Sequence, residues 1–598
     1  MSSKPWIGSR RGAFAAVVAV LWSSGAGPIP TVGRAEEPDA DAGPLVADFM
    51  LSSARGDRVS LWSQPDATRA TLVGVLDRRD ADHRSHFDRL DRLARRRASE
   101  GLRILLIDPD PAQRWEPEPE LDGLILLDDS TQVVVRRLGL ARSSDVLIVD
   151  RELRQRHLGP SLGPGEAASA AHSSHLDALV AAVLHGTPPP EPATAAPPAG
   201  TVGTAHEARL TFDSPPPVVS FREQIAPLVH QHCAECHRDG GGAPMDLTCY
   251  DEAAGWAPMM AEVAASGRMP PWSADPRYGR FRNERRITDT EKELLRLFAA
   301  QGALEGPRER ELPEAAPAPG DWTIGDPDLV VELPEPQQVP AEGVLPFRSA
   351  ILRTHLPEDR FIQAIECRPT ATQVVHHIVL FQVPTDVPDE LAAEHSILFP
   401  DAVLGGYVPG APASWYRPGY GRRLRKGARI VASLHYTPNG RPAVDRTRVA
   451  IRFTPGVPEH EVRGGLLANT SLDIPPGEAN ARFFAIEPIE RPIDLLSFQV
   501  HMHARGRRFR YELVRGGGRR VLLDVNPFDW MWQHFYELEQ PVRALPGDLL
   551  VGIATYDNSA ANPRNPDPTA RVVNGPQPSD EMMNGYFSFV EVAGVPSR

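Results

Sequence analysis

The sequence predicts a multidomain chain in which an α/β domain, a small all-α module and two tandem antiparallel β-sandwiches follow one another. Three observations carry this. At 598 residues and about 150 residues per domain, the length asks for roughly four folding units. Two proline-rich stretches, 187–218 with Thr187-Pro-Pro-Pro-Glu-Pro and 306–320 with Pro313, Pro317 and Pro319, lack apolar periodicity and read as semi-rigid linkers. The patterning changes across them, from apolar runs alternating with amphipathic stretches to short alternating segments cut by proline and glycine turns. The units expected are therefore 43–186, 219–305, 321–455 and 456–598.

Composition excludes several classes. The chain is 41% hydrophobic and 24% charged, ordinary for globular protein and unlike a disordered or collagen-like one. Lysine and arginine number 64 against 78 acidic residues, a net charge of −14, whereas a nucleic-acid binder presents a basic footprint; no nucleic-acid partner is expected. The run Arg95-Arg96-Arg97 closes an amphipathic stretch beginning near Asp88 and reads as a solvated helix face. Four cysteines, Cys233, Cys236, Cys249 and Cys367, are too few for a disulfide scaffold and better suited to cofactor chemistry.

The first residues carry Lys4, Arg10 and Arg11, then an apolar run over 13–22 and small residues to Ala35. This is the layout of a secretory signal peptide, so 1–35 is set apart and an exported location, periplasmic or secreted, is expected. Ser9-Arg10-Arg11 leaves the twin-arginine and ordinary export routes both open. No later run reaches about 18 apolar residues, so no integral membrane segment is expected in the mature chain.

In the first unit, strands are expected at 71–76, 104–107, 124–127 and 146–149, with Phe87, Leu90 and Leu93 marking a helix face between the first two. With the phrases Ala47-Asp-Phe, Val59-Ser-Leu and Val146-Leu-Ile-Val-Asp150, this order resembles the peroxiredoxin and thioredoxin-like redoxin domains. The resemblance implies their fold without their chemistry. Thiol redox needs a thiolate, but no cysteine precedes Cys233, and Ser144 stands where a redoxin has proline. An inert α/β scaffold is expected.

Cys233-Ala-Glu-Cys236-His237 is a C-x-x-C-H sequence and reads as covalent c-type haem attachment, the thiols on the porphyrin and His237 on iron. No second C-x-x-C follows to complete a zinc site. Helical patterning over 222–230 and 288–300 brackets the motif, the second stretch opening with a Thr288/Glu291 capping box. This bracket resembles a small class I-like cytochrome c. The resemblance implies a second axial ligand, for which Arg268-Met269-Pro-Pro-Trp272 offers Met269, with Met245, Met259 and Met260 as competitors; Met/His ligation suits electron transfer. Cys249 and Cys367 lie in no motif and read as unpaired thiols.

The β-rich half contains Val375-His376-His377, Ser433-Leu-His435-Tyr436, Val500-His501-Met-His503 and Ser579-Asp-Glu-Met582. On a strand His501 and His503 would share a face, whereas adjacent His376 and His377 need a bulge or strand end to converge. These four segments, in this order across roughly 321–598, resemble the copper type II ascorbate-dependent monooxygenases, the family of peptidylglycine α-hydroxylating and dopamine β-monooxygenases. The resemblance implies two tandem jelly-roll copper domains and two copper ions. His376, His377 and His435 would hold an electron-transfer copper; His501, His503 and Met582 would hold the oxygen-binding copper, its thioether favouring Cu(I). Met583 adjoins Met582, and strand alternation would turn it away.

The peptide-hydroxylating branch has an arginine two residues before its H-x-H pair, where this chain has Gln499, so a peptide-carboxylate substrate is not implied. Asn584 and Tyr586 match that branch's substrate-side positions. The expected function is therefore an exported copper monooxygenase hydroxylating a C–H bond of a small-molecule or peptide substrate with O2. Its electrons would come from a periplasmic donor or ascorbate-like reductant, relayed through the haem. The rival is a haem and copper carrier that moves electrons without oxygenating anything.

Overall fold

The computed structural model describes residues 43–77, 82–110, 124–143, 145–162, 173–188, 216–239, 241–313, 322–383, 385–395, 401–409 and 413–592. The expected leader, Ser144, and much of the two expected linkers lie outside these residues.

The first unit is built on one seven-stranded sheet. Its strands lie in the order Arg58–Ser60, Met50–Ser53, Leu124–Asp128, Leu102–Asp108, Ala70–Val75, Asp145–Asp150 and Gln155–Pro160. The three central strands run parallel, and the outer pairings are antiparallel. A strand covered on both faces reads as a continuous apolar run, and Ala70–Val75 and Leu102–Asp108 are buried at every position. Helices His83–Arg97 and Ser174–Leu184 cover one face, placing Leu90, Leu93, Leu176 and Leu179 on Leu72 and Ile104. Helix Val133–Leu138 covers the other with Val134 and Val135 on Val73 and Leu105.

In the helical module a π-helical turn, Phe221–Ile225, runs into helix Ala226–His232, which Cys233 caps. Helix Asp289–Ala300 opens with a reciprocal cap: Thr288 Oγ1 accepts from the Glu291 N–H, and the Glu291 carboxylate accepts from the Thr288 N–H. Between them stands helix Tyr250–Ala265, which the sequence pattern did not mark. Pro258 sits inside it, and its buried positions are mostly alanine, so no strong apolar stripe shows.

The C-terminal half is β-rich and layered. A nine-stranded sheet runs through all of it, and its two sides join where Tyr420–Leu424 pairs in parallel with His460–Ala468. On one side the four-stranded sheet Arg348–Arg353, Arg429–Tyr436, Val375–Val383 and Val403–Tyr407 packs Ile378, Leu380 and Ile430 against Ile362, Val449 and Ile451. On the other, Ala481–Pro488, Leu549–Tyr556, Gly506–Arg515 and Gly518–Val525 pack Phe509 and Leu550 against Leu495, Phe498 and Phe587. Alternating inward-facing residues fill both interiors, as face-to-face sheets require.

The helical module is not a separate bead on its linkers. Its segment 272–283 enters the C-terminal core: Ala274 and Phe281 belong to that core, and Trp272 packs on it. Backbone bridges join Ala274 to Val525 and Phe281 to Leu538.

Candidate metal centre

His376 and His377 lie on Val375–Val383, and His435 lies on its neighbour Arg429–Tyr436. Two adjacent residues of a regular strand face opposite ways. Here the pairing register shifts between Val375 and His377, leaving His376 as the extra residue of a bulge and bringing both rings to one side. The three histidines are buried, and one ligand atom from each lies within 4.8 Å of the others.

The remaining hydrogen bonds show which nitrogens face inward. His376 Nε2–H donates to Met531 Sδ at 3.1 Å, while His376 Nδ1 and His377 Nδ1 stand 2.9 Å apart. His435 Nδ1 is buried without a partner. The three Nδ1 atoms are therefore the converging donor set. His435 Nδ1 is orphaned, which is costly, while His376 Nδ1 and His377 Nδ1 have only each other; a cation between the three would satisfy all of them.

The second pair uses the opposite nitrogens. His501 ends strand Ile493–His501 and His503 lies beyond it, so a shared strand face does not bring them together. Bracing by neighbouring segments does. His501 Nδ1–H donates to Gln533 Oε1 at 2.6 Å, and His503 Nδ1–H donates to the Asp580 carbonyl at 3.0 Å. The Glu581 carboxylate accepts the N–H groups of His503 and Arg505 at 2.8 and 2.7 Å. His503 Nε2 is left buried and unpartnered, and the His501 and His503 rings meet edge to face at 5.2 Å. Such hydrogen bonds to the remote nitrogen fix tautomer and ring direction for a metal.

Met582 follows Glu581 directly, with its sulfur 3.5 Å from Asn584 Nδ2 and its carbonyl accepting from the Tyr556 hydroxyl at 2.8 Å. Met583 is fully buried in the C-terminal core, turned into packing and away from solvent. Asn584 pairs with His501 and Tyr586 with Gln499 across neighbouring strands.

The two histidine groups are close. The His377 and His501 rings lie 6.1 Å apart, and Phe347 contacts His435 at 4.5 Å and His503 at 6.0 Å. Burial dominates the electrostatics: it pushes His376 down to about 4 and His435 and His501 down to about 3, with the neighbouring imidazoles adding to the effect. His377 and His503 are lowered for the same first reason. All five are thus neutral near pH 7, the state in which imidazole binds a metal.

Sequence reasoning missed the loop that supports both groups. Trp530 packs on His376 at 4.9 Å and His435 at 6.0 Å, Met531 accepts from His376, and Gln533 accepts from His501. Tryptophan and glutamine do not announce themselves as ligands, and Met531 stands in no ligand motif. The unusual run Trp530-Met-Trp-Gln-His534 was the one available signal.

In the helical module the Cys236 and His237 N–H groups both donate to the Cys233 carbonyl, at 3.1 and 2.8 Å, winding the motif into a tight turn. Cys233, Cys236, Cys249 and Cys367 are all free thiols. Burial pushes Cys233 up to about 12 and Cys236 up to about 11. Two neutral thiols with an adjacent imidazole suit thioether attachment of a haem. Met245 and Cys233 pack together on the helical core, which also holds Met260. Met269 stands outside that core in the loop after Tyr250–Ala265, its N–H donating to the Val263 carbonyl. Met259 is exposed on the same helix.

Residues 474–595 match the family model for the copper type II ascorbate-dependent monooxygenase, C-terminal domain. That segment contains His501, His503, Met582, Asn584 and Tyr586. No curated protein matches the chain. Among solved structures, the chain is similar to a hypothetical protein from Sinorhizobium meliloti 1021, at 26% identity over 26% of this chain and 89% of that one, TM-score 0.22. It is similar to the exposed lipoprotein thioredoxin of Streptococcus pneumoniae strain TIGR4, at 14% identity over 23% and 99%, TM-score 0.19. It is also similar to a putative thiol:disulfide interchange protein from Chlorobium tepidum, at 17% identity over 24% and 99%, TM-score 0.20.

Proposed function

We propose that this chain is an exported copper-dependent monooxygenase that hydroxylates a C–H bond with O2 and draws electrons through a covalent haem of its own. The observation that carries the reading is the sorting of five buried histidines into an inward Nδ1 set and an Nε2 set, the latter within the matched segment. His376, His377 and His435 would hold one copper, and His501, His503 and Met582 the other; Cys233, Cys236 and His237 would hold the haem, with Met269 or Met245 as its second axial ligand. When bound, the copper ions supply one-electron transfer and O2 reduction, and the haem supplies one-electron transfer.

The chain's own residues do the rest. Met531, Gln533 and the Asp580 carbonyl take the remote ring protons of His376, His501 and His503, so these three imidazoles each keep a lone pair directed inward. Gln499 is buried, and its Oε1 has no partner among the described residues. With Tyr586 and Arg422 it lines a cavity of about 110 Å³. An unpaired buried acceptor favours a substrate group that donates an N–H or O–H. The bond from Thr372 Oγ1 to the Gly241 carbonyl at 3.3 Å supports haem-to-copper electron relay, since Gly241 lies shortly after His237 and Thr372 shortly before His376.

Spin-quantified EPR of the oxidised, metal-loaded protein tests the reading. The expected result is about two type 2 Cu(II) signals beside a low-spin ferric haem, with Met582→Ile abolishing O2-dependent product while the copper of the His376 group remains. Haem without copper signals sinks the oxygenase and leaves the electron carrier. Reduction of copper that is equally fast in a His237 variant, followed by stopped flow, removes the relay alone.

A further inference from the structure

A cleft of about 890 Å³ lies between the α/β domain and the C-terminal half, and neither the five histidines of the metal centre nor Cys233, Cys236 and His237 line it. Arg58 and Arg103 face it from the α/β sheet, and Arg280 faces it from the segment that enters the C-terminal core. Arg103 is physically anomalous. It is 8% exposed, its terminal nitrogens reach only the Ser60 carbonyl at 3.3 and 3.4 Å, and its Nε has no partner.

Among the described residues no carboxylate pairs with any of the three. Arg58 donates to the Arg286 carbonyl at 2.6 Å and contacts His232 Nδ1 at 2.9 Å; Arg280 donates to the Ser63 carbonyl at 3.0 Å. The acids on the cleft wall are Asp57, Glu284 and Glu539. Glu284 is already paired with Arg286, and Arg282, which also lines the cleft, is paired with Glu537. A buried guanidinium with no carboxylate in direct contact is among the more costly arrangements a fold can keep. Burial and then the nearby Arg280 push Arg103 down to about 10, and the Asp48 carboxylate, itself engaged by Ser60 and Arg286, offsets only part of this.

We propose that this cleft binds a small-molecule oxyanion, a carboxylate or phosphate ester, with Arg103 as the buried anchor and Arg58 and Arg280 closing on it from two structural units. Guanidinium groups present paired donors that match planar carboxylate and phosphate oxygens. The long bonds to Ser60 leave the Arg103 donors available for a better acceptor. Because Arg280 belongs to the segment stapled into the C-terminal half, a bound anion would tie that half to the α/β domain.

The test uses the full-length, metal-loaded protein in low-salt buffer, titrated separately with inorganic phosphate and with succinate by calorimetry and thermal unfolding. The expected result is one saturable site that raises the unfolding temperature, at least tenfold weaker in Arg280→Gln and lost in Arg103→Met. Without anion, Arg103→Met should unfold at a higher temperature than the parent, because it removes an unpaired buried charge. Saturation by phosphate alone or succinate alone identifies which oxyanion class the cleft accepts. No saturable binding of either probe, or wild-type affinity in the exposed Arg280→Gln variant, overturns the proposal. Unchanged copper EPR in both variants separates this outcome from any failure at the metal centre.

Discussion

Gln533 decides which nitrogen of His501 faces the metal position. Its Oε1 accepts the Nδ1 proton at 2.6 Å, and its own amide donates to the Trp530 carbonyl at 3.1 Å, so the acceptor is held by its loop. Gln533→Leu should lower copper affinity at the His501/His503 position by about ten- to a hundredfold while leaving the His376/His377/His435 position loaded. Gln533→Glu, which keeps an acceptor, should restore most of it; a two-site Cu(I) competition titration reads both. Met531 plays the matching part for His376 but offers only a thioether, a weak acceptor. Met531→Leu should leave two coppers bound and shift only the reduction potential of the triad copper, measured by redox titration of its EPR signal. Both residues were illegible in the sequence for one reason. Neither belongs to a ligand motif, and Met531 lies 155 positions from the histidine it braces, so no local spacing connects them. The histidines could be read because their residue type is rare and their order is distinctive.

At the scale of the element, legibility follows burial. The strands Ala70–Val75, Leu102–Asp108 and Asp145–Asp150 are buried along their length, and each shows in the sequence through a short apolar run, at 72–75, 104–107 and 146–149. The edge strands Arg58–Ser60 and Gln155–Pro160 are half-exposed and polar, and nothing distinguishes them from turns. Helix His83–Arg97 was legible from Leu90 and Leu93, but its buried face also carries His86. His86 Nδ1 accepts from Arg89 Nη2 at 3.0 Å, its Nε2 has no partner, and burial pushes its pKa down to about 3 from 6.5. The folded state therefore keeps His86 neutral while the unfolded chain protonates below pH 6.5. Stability is complete above that pH and declines as pH falls toward 3, by about 2 kcal/mol at pH 5. Hydrogen exchange of the Ala70–Val75 amides at pH 7 and 5, corrected for intrinsic rates, should show that loss. In His86→Leu the slope should flatten.

The whole molecule departs most from a string of modules. The linkers suggested that 219–305 stands alone, yet Trp272, Phe281 and Tyr536 form an aromatic contact set, with centroids 4.9 to 6.0 Å apart, in which the first two come from the helical module and the third from strand Phe535–Ala544. Arg282 extends the seam by pairing with Glu537 and donating to the Trp415 carbonyl, and Asn283 donates to the Phe535 carbonyl at 2.7 Å. Periodicity could not reveal this, because an irregular segment that docks into another unit's core has no repeat of its own. Its energetic consequence is direct. Phe281 is 8% exposed within the C-terminal core, so Phe281→Ala should cost about 3 kcal/mol or more through lost burial and the cavity left behind. The seam couples two units, so calorimetry of the parent should show the helical module and the C-terminal half unfolding in one transition. In the variant, that transition should divide into two, the C-terminal one at lower temperature. A single transition merely shifted downward would mean that other contacts, those of Arg282 and Asn283 among them, are enough to keep the units cooperative.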